Sequence, residues 1–328
     1  MRIEQIAVPT PGRGDVLIKV IACGVCHSDL HAIDGDWRRC PTLPLIPGHE
    51  VARATSRALG EGVTDMKVGD AVGVPWMYTA PAADARFCMA GMETICKAGE
   101  ASGYTKPGGY AEYMVAGAAF VARLPKNADL YQLAPILCAG VTTYRGLKRT
   151  NARPGQWMAV VGIGGLGHIA VQYAKAMGYR VAGRRRRGRQ AAPRQEAGCG
   201  TRRQRPRKEC ATGAPGQDRR RPRRHRHRGR AAGVRAGDRH AAARRHGLLI
   251  SASPGGKKDE IRASISAITN WELSVRGSNV GTRLDLNEAV AFAANGLVTA
   301  KIKKAPLEQI NAIFDETCAP GRSWGVWF

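Results

Sequence analysis

Short apolar runs separated by glycine and proline dominate the first 75 residues. The run at residues 16–20 follows a turn signal at residues 11–14, and the run at residues 71–74 follows a second turn at Gly69 and Asp70. Runs of this length, with glycine and proline between them, are typical of β-strands joined by tight turns. We therefore predict a barrel-like or irregular β domain in this part of the chain.

The pattern changes near residue 150, where a strand and a helix are predicted in succession. An apolar run at residues 157–161 predicts a buried strand, a glycine-rich run occupies residues 162–167, and residues 179–182 begin a second strand. Between them, apolar positions recur with the period of a helix that ends at Gly178. These positions are Ile169, Val171, Tyr173, Ala174 and Met177. The order is that of a β–turn–α–β unit.

Periodicity is lost between residues 183 and 246, where arginine dominates. This segment carries 22 Arg and one Lys against four acidic residues, a net charge of +19 out of the +25 of the whole chain, which leaves +6 for the remainder. We expect the segment to be disordered. Order returns near residues 248–250, and helices are predicted at residues 284–294 and 307–314.

The nine cysteines favour metal binding over a disulfide framework, because their number is odd and the N-terminus does not have the pattern of a secretory signal. No apolar run approaches the roughly 18 residues that a membrane-spanning helix needs. We therefore expect a cytoplasmic protein with no membrane partner.

Three short motifs contain candidate metal ligands. They are Cys-Gly-Val-Cys-His-Ser-Asp-Leu-His at residues 23–31, Pro-Gly-His-Glu at residues 47–50 and Leu-Cys-Ala-Gly at residues 137–140. A catalytic zinc ion takes three protein ligands of mixed nitrogen and sulfur type and keeps a fourth position open. One cysteine, one histidine and a second, distant cysteine would meet this need. Taken singly, a cysteine is more often a small buried apolar residue than a metal ligand, and a lone histidine is usually structural.

Together these motifs resemble the zinc alcohol dehydrogenases of the medium-chain dehydrogenase/reductase superfamily, and most closely their tetrameric bacterial and yeast-type branch. The resemblance covers most of residues 2–182 and 247–315. The runs that carry it are Gly-Val-Cys-His-Ser-Asp-Leu-His at 24–31, Gly-Asp-Trp at 35–37, Pro-Gly-His-Glu at 47–50, Ala-Pro-Ile-Leu-Cys-Ala-Gly-Val-Thr at 134–142, Val-Gly-Ile-Gly-Gly-Leu-Gly-His at 161–168, Val-Gln-Tyr-Ala-Lys-Ala-Met-Gly at 171–178, Val-Arg-Gly-Ser at 275–278 and Val-Gly-Thr-Arg at 280–283.

The resemblance implies an α/β fold of two domains. A GroES-like, β-rich catalytic domain is expected at residues 1–139, a Rossmann doubly wound coenzyme domain at residues 140–280, and a return to the catalytic domain at residues 281–328. The arginine-rich segment at residues 183–246 interrupts the Rossmann sheet. For the chain as printed, we expect the coenzyme domain to be largely unfolded. A typical free energy of unfolding of about 5–15 kcal/mol is smaller than the loss of apolar burial that this segment causes.

The resemblance also implies roles around a catalytic zinc ion. Cys26, His49 and Cys138 are the expected ligands, and Glu50 is a possible alternative ligand. Asp29 is expected to orient the imidazole that binds the metal.

Further roles follow for the neighbours of these ligands. Ser28 and His31 are the expected catalytic residues, with Ser28 accepting the hydrogen bond of the alcohol and His31 passing the proton to solvent. The alternative for this pair is an exposed loop without a role. Cys23 is expected to be a core residue.

A coenzyme is expected at the glycine-rich run, because this run follows a strand and opens a helix whose N-terminus favours a pyrophosphate. The candidate binding residues are Gly162, Gly164, Gly165 and Gly167, with His27 and Arg283 near the coenzyme phosphates by resemblance. A Rossmann domain that binds NAD carries an acidic residue at the end of its second strand. Here that position falls near Arg185 and Arg186, so NADP stays open as an alternative to NAD.

The resemblance predicts a second, structural zinc ion held by four cysteines near residues 80–96. Only Cys88 and Cys96 are present in this lobe, and Asp84 is the one other nearby group that could help. Two thiolates make a poor zinc site. We therefore predict that this remnant structural site is lost or weak.

The leading expectation is a zinc-dependent, NAD-linked alcohol dehydrogenase, a homotetramer by resemblance, that oxidises small primary alcohols or reduces the matching aldehydes. One alternative is an NADP-linked aldehyde reductase of the same superfamily, and another is an inactive frameshifted remnant. A nucleic-acid-binding module is a third, but residues 183–246 contain no aromatic side chain to stack on bases, so we expect no nucleic-acid partner. Trp37, Trp76 and Met77 are expected either in a small substrate pocket or in the core.

We hypothesise that residues 183–246 and 317–328 are frameshift products. With suitable codons, the start of the first segment shifted by one nucleotide spells an acidic strand end followed by an ordinary helix, and the second spells a plausible last strand. Resequencing the locus is expected to reveal the missing or extra nucleotides. Confirmed nucleotides that encode the printed chain in one intact frame would rule the hypothesis out.

Overall fold

The structure is a computed structural model that describes residues 1–35, 37, 41, 43–53, 56–79, 85–184, 264–318 and 326–327. Its strands are β1 (Asp15–Lys19), β2 (Ala22–Cys23), β3 (Val51–Arg53), β4 (Ser56–Leu59), β5 (Val72–Val74), β6 (Met77–Thr79), β7 (Glu100–Ala101), β8 (Tyr113–Gly117), β9 (Ala122–Arg123), β10 (Trp157–Val161), β11 (Arg180–Arg184), β12 (Ile302–Lys303) and β13 (Val326–Trp327).

The described residues also form helices and short 3₁₀ turns. The helices are α1 (His27–Asp34), α2 (Ala85–Met89), α3 (Leu130–Leu133), α4 (Ala139–Lys148), α5 (Gly165–Ala176), α6 (Ile265–Asn270), α7 (Arg283–Ala294) and α8 (Ile310–Cys318). The 3₁₀ turns are Glu93–Ile95, Ala118–Phe120, Ala134–Leu137 and Leu307–Gln309.

Within the described residues up to Arg123, the chain forms two larger antiparallel sheets and the antiparallel pair β6–β7, as the short apolar runs predict. One sheet has the strand order β4–β1–β8 and the other β2–β3–β5–β9. Side chains that alternate along β1 and β5 fill the space around these sheets. The buried cluster there includes Val16, Ile18, Val51, Val72, Met114 and, from α8, Ile310 and Phe314.

A second apolar cluster is built mainly by the helices α4, α5 and α7. Tyr144, Tyr173 and Phe292 meet at its centre, with ring centroids 5.4 to 5.8 Å apart. The Tyr173 hydroxyl donates to the Ala289 carbonyl over 2.8 Å, so this buried polar group is paired. The same cluster includes Ala22 and Ala52, which joins it to the β sheets.

The predicted β–turn–α–β unit is present in β10, α5 and β11. The two strands are parallel, with Trp157 opposite Arg180 and Val161 opposite Arg184. The buried face of α5 includes Ile169 and Tyr173, both fully inaccessible to solvent. This unit is therefore formed and packed, while residues 185–263 of the expected coenzyme domain lie outside the described residues, so the expectation that this domain is largely unfolded stays a prediction.

The strand β10 is less buried than its apolar sequence predicts. Met158 is 8% exposed, whereas Trp157 is 61% and Val161 is 60% exposed. Because side chains alternate between the faces of a strand, the face that carries Met158 is the one that packs on the helical cluster among the residues that the structure describes. A run of apolar residues does not show which face will be covered.

Other sequence predictions have mixed outcomes. The helix expected at residues 284–294 is α7, whereas the helix expected at 307–314 begins as a 3₁₀ turn and continues as α8 to Cys318. The predictions for residues 185–246 and 248–250 lie outside the described residues. No helix in the described part of the chain is long and apolar enough to cross a membrane.

A buried ion-pair network joins α4 to α7. The Asp285 carboxylate accepts from the Arg145 guanidinium over 2.6 Å and from the Thr282 hydroxyl over 2.7 Å, and Lys148 lies 2.9 Å away. The side chains of Asp285 and Arg145 are only 6% and 9% exposed. Asp285 also forms the capping box that begins α7, so one carboxylate fixes the start of this helix and its contact with α4.

We predict that Asp285→Ala lowers the free energy of unfolding by about 3–5 kcal/mol, because it leaves the buried Arg145 charge unpaired. The measurement is chemical denaturation followed by tryptophan fluorescence. Asp129→Ala is the matched control, because Asp129 caps α3 at an exposed site and its loss should cost about 1 kcal/mol. Equal losses in the two variants would contradict the importance of the α4–α7 network.

Candidate functional site

Four side chains from distant parts of the sequence meet at one point. The ligand-type atoms of Cys26, His49, Glu50 and Cys138 all lie within 4.8 Å of one another. Among the residues that the structure describes, this is the only such group of three or more His, Cys, Asp or Glu side chains. The three short motifs of the sequence analysis therefore converge.

Local structure explains how these residues meet. Cys26 is the N-cap of α1 and Cys138 the N-cap of α4. His49 and Glu50 stand immediately before β3, which pairs with β2 so that Val51 lies opposite Cys23. Two helix starts and one strand start thus point at the same buried position.

The Asp29 carboxylate holds two of these residues in place. Its Oδ1 lies 3.1 Å from His49 Nδ1 and accepts from the Gly48 backbone N–H over 3.0 Å. Its Oδ2 accepts from the Cys26 backbone N–H over 3.0 Å and from the Tyr110 hydroxyl over 2.8 Å. Although burial raises the pKa of this carboxyl, His49 and the hydrogen bonds from Tyr110 and Cys26 outweigh it and lower the pKa below its ordinary value.

Two buried polar atoms in the cluster lack a hydrogen-bond partner among the described residues. They are His49 Nε2 and Glu50 Oε2. Since His49 Nδ1 is engaged by Asp29, Nε2 is left to act as a metal ligand. An unpaired buried polar atom costs about 1–3 kcal/mol, and a cation would remove that cost. Two sulfurs and one imidazole nitrogen are ligands that zinc prefers, so the residues present fit a zinc ion.

The two ligand-type thiols influence each other. A hydrogen bond from Cys138, helped by His49, lowers the pKa of Cys26 well below its ordinary value. The same hydrogen bond, together with burial, raises the pKa of Cys138. Burial and the negative charge of Cys26 raise the pKa of Glu50. The protein groups alone therefore favour one thiolate at this position, which is the form that binds metal.

The predicted relay residues lie on α1, beside the cluster. Ser28 Oγ is 3.6 Å from Cys26 Sγ, and His31 follows one helical turn later. Residues three apart lie on one face of a helix, so Ser28 and His31 are neighbours along α1. His27, the first residue of α1, is exposed. Cys23 is 3% exposed and lies in the core, as expected.

An aromatic wall stands on one side of the cluster. The Trp76 ring lies 4.9 Å from the His49 ring, edge to face, and Trp37 lies 5.7 Å from Trp76. Tyr104 contacts both tryptophans, at 5.6 and 5.0 Å. Met77, the third candidate for the pocket, is buried in β6 opposite Ala101. The sequence analysis missed Tyr104, because nothing near it in the chain marks it as a neighbour of Trp37 and Trp76.

The glycine-rich run forms a tight turn between β10 and α5. Gly162 has a φ of +94°, which favours glycine, and nothing lies within 4 Å of a Cβ placed there. At Gly167, a Cβ would lie 1.8 Å from the Gly162 carbonyl oxygen, so only glycine fits. Gly164 is the N-cap of α5 and offers no side chain to the N–H groups at the start of the helix, which begins at Gly165. The turn is open to an anionic ligand.

Arg283 and the remnant lobe lie together. The Arg283 side chain pairs with Glu93 over 2.9 Å and its backbone N–H donates to the same carboxylate over 2.6 Å. Partial burial and the neighbouring Cys96 thiol raise the pKa of Cys88. Within the described residues, Cys88 and Cys96 belong to no group of three or more possible metal ligands. Asp84 lies outside the described residues. The coenzyme role of Arg283 and the weakness of the second metal site stay predictions.

Comparison with known proteins identifies the family to which this chain belongs. The family described as "Alcohol dehydrogenase GroES-like domain" matches residues 12–126. An alcohol dehydrogenase from Moraxella sp. is 40% identical over 96% of this chain and 91% of its own length.

Solved structures of similar fold belong to the same group of enzymes. The alcohol dehydrogenase from Aeropyrum pernix has a TM-score of 0.72 at 26% identity, covering 99% of this chain and 95% of its own. A protein named CAD from Helicobacter pylori, solved in complex with NADP(H), has a TM-score of 0.70 at 25% identity, covering 96% of this chain and 90% of its own. The expected α/β fold with GroES-like and Rossmann domains is confirmed, and the chain belongs to the alcohol dehydrogenases of the medium-chain dehydrogenase/reductase superfamily.

Proposed function

We propose that this protein is a zinc-dependent alcohol dehydrogenase that transfers hydride between a small primary alcohol, or the matching aldehyde, and NAD. The observation that carries the proposal is the convergence of Cys26, His49 and Cys138 within 4.8 Å, with the buried His49 Nε2 left without a partner among the described groups. A homotetramer in the cytoplasm is the expected assembly and location, from the resemblance to the bacterial and yeast-type branch.

Cys26, His49 and Cys138 would hold the zinc ion, and Glu50 would be an alternative ligand beside them. When bound, zinc supplies Lewis-acid chemistry that lowers the pKa of an alcohol hydroxyl. Asp29 keeps the His49 ring in one orientation by accepting a hydrogen bond from Nδ1–H. This leaves Nε2 free to bind the metal. The ligand set would therefore be held by hydrogen bonds that exist before the metal arrives.

Ser28 and His31 would move the proton of the alcohol. Ser28 Oγ, next to Cys26, would accept the hydroxyl proton through a hydrogen bond, and His31 would carry it to solvent. Both side chains are partly exposed, which a relay to solvent requires. General acid–base groups of this kind act when they lie within hydrogen-bond reach of the proton that they take.

The aromatic wall would exclude water and limit the size of the alcohol. Trp76 packs directly on the His49 ring, and Trp37 and Tyr104 close the space beyond it. A large indole this close to a metal ligand leaves little room for a long alkyl chain. This arrangement favours small primary alcohols over long ones.

The turn between β10 and α5 would bind the coenzyme pyrophosphate. The open space at Gly162 and the uncapped start of α5 fit such a group, because helix N-terminal N–H groups favour negative charge. His27 and Arg283 would assist at the phosphates, as the resemblance implies.

NADP is the second candidate coenzyme, and one observation favours it. The position at which an NAD enzyme of this fold carries an acidic residue falls near Arg185 and Arg186 in the sequence, just after the end of β11 and outside the described residues. A guanidinium would suit a 2′-phosphate. The similar Helicobacter pylori protein is described in complex with NADP(H). Comparing kcat/KM for NAD and NADP with ethanol separates the two candidates.

We predict that the purified chain holds about one zinc ion and reduces NAD when ethanol is added. Cys138→Ser should lose the metal and the activity, because it removes a ligand, and this loss should exceed the roughly 10–100-fold effect of changing an outer-shell partner. Metal content by mass spectrometry and coenzyme reduction by absorbance are the two measurements. Cys96→Ser is the control and should retain both. A Cys138→Ser variant that keeps its zinc would overturn the proposed metal site.

We predict that Trp76→Ala raises the ratio of kcat/KM for 1-hexanol to that for ethanol about tenfold or more, because each methylene admitted to an apolar pocket is worth about 1–3 kcal/mol. The measurement is a series of straight-chain alcohols at fixed coenzyme concentration. Trp271→Ala is the control, since Trp271 is 60% exposed and not among the rings that contact His49. An unchanged chain-length profile in Trp76→Ala would show that this ring does not bound the substrate.

A further inference from the structure

A short segment after α7 is held by three side chains from α3 and α5. Residues 299–301 present three consecutive backbone N–H groups, each of which donates to a different side chain. The pairs are Thr299 with Gln172 Oε1 over 2.9 Å, Ala300 with Gln132 Oε1 over 3.0 Å, and Lys301 with His168 Nε2 over 3.1 Å. Val298 and Ala300 are buried in the helical cluster, so the segment is fixed on both sides.

His168 is the member of this set that also touches the glycine-rich turn. Its Nδ1 lies 2.9 Å from the Gly164 carbonyl oxygen. The Lys301 backbone N–H can only donate, so His168 Nε2 must be the accepting nitrogen. In the neutral ring the proton is then on Nδ1, from which it donates to Gly164. The contact with Lys301 therefore selects the tautomer that holds the turn.

The Gly164 carbonyl fixes the direction of a neighbouring N–H group. It accepts from the backbone N–H of His168 over 3.0 Å as well as from the ring. Because a peptide is planar and trans, its carbonyl and the following N–H point in opposite directions. A carbonyl held toward α5 thus aims the Gly165 N–H away from the helix, into the open side of the turn.

A peptide between two glycines needs such a hold. Gly164 and Gly165 have no Cβ, so rotation of the peptide that joins them meets little steric resistance. A single helix hydrogen bond at the first turn resists rotation weakly, and the ring of His168 adds a second hydrogen bond from a side chain that Lys301 also holds.

We propose that His168 is a positioning residue for the coenzyme, which holds the Gly164–Gly165 peptide so that its N–H faces the pyrophosphate and which links this turn to residues 299–301. The inference rests on the proposed binding of a nicotinamide coenzyme at the turn. His168 acts through the backbone and does not itself contact the ligand. Loss of the His168 side chain weakens coenzyme binding and leaves metal binding unchanged.

The test compares three variants of the purified full chain by fluorescence titration with NADH, without alcohol. His168→Ala removes both ring contacts and should raise the Kd for NADH about tenfold, the effect of losing roughly one well-placed hydrogen bond. His168→Asn keeps a side-chain N–H near the position of Nδ1 and should recover most of the affinity. Gln132→Met frees the Ala300 N–H but leaves the turn untouched, and should bind NADH as the wild type does.

Two further readouts separate positioning from loss of structure. Zinc content should be equal in all three variants, and hydrogen exchange of the Lys301 amide in the coenzyme-free chain should rise in His168→Ala but not in Gln132→Met. Wild-type affinity in His168→Ala, or an equal loss in Gln132→Met, would overturn the proposal for His168. A wild-type chain that does not bind NADH would instead overturn the coenzyme site itself, and the proposal with it.

Discussion

One buried carboxylate organises the centre of this molecule. Asp29 accepts four hydrogen bonds, from the backbone at Cys26 and Gly48 and from the side chains of His49 and Tyr110. Asp29 is 1% exposed, and burying a charged carboxylate costs free energy unless it is fully hydrogen-bonded. These four hydrogen bonds are therefore strongly favoured in the folded protein. Because Asp29 also takes part in the capping box of α1, the same carboxylate fixes both the start of that helix and the positions of Cys26 and His49, two of the proposed metal ligands.

The residues that could be found from the sequence are those marked by their immediate neighbours. Cys26, His49 and Cys138 each lie in a short motif, and these three motifs supply the sulfur and nitrogen ligands that a zinc ion prefers. Asp29 could be found for the same reason, since it lies three residues after Cys26. Their convergence, which depends on the pairing of β2 with β3 and on the start of α4, is visible only in the structure.

The residues that were missed act across long stretches of sequence. Tyr110 donates a hydrogen bond to Asp29, 81 residues away in the sequence, and Arg283 donates one to Glu93, 190 residues away. No periodicity or motif predicts such pairs, because they depend on how separate elements pack. The pairing of Arg283 with Glu93 also shows why a role carried by resemblance alone stays a prediction: the side chain is engaged with the lobe of Cys88 and Cys96.

Periodicity predicted the fold most reliably where a local pattern decides the element. The glycines at 162–167, followed by a helical repeat, predicted β10, α5 and β11 in order. Burial was harder to predict, as the exposed Trp157 and Val161 show, because a face is buried only if something packs on it. The 3₁₀ turn at Leu307–Gln309 was also missed, and it follows Pro306, whose fixed φ suits a turn as well as a helix start.

The position of Cys138 has a consequence for the whole chain. This residue is the N-cap of α4, and α4 packs on α5 and α7 in the helical cluster. Zinc bound as proposed would therefore link metal affinity to the folding of that core, because a ligand that binds only the folded form stabilises it by RT ln(1 + [L]/Kd), or about 4 kcal/mol at a thousandfold excess over Kd. In a chain whose coenzyme domain is interrupted by an arginine-rich segment, the metal would stabilise the packing of these helices in addition to its role in catalysis.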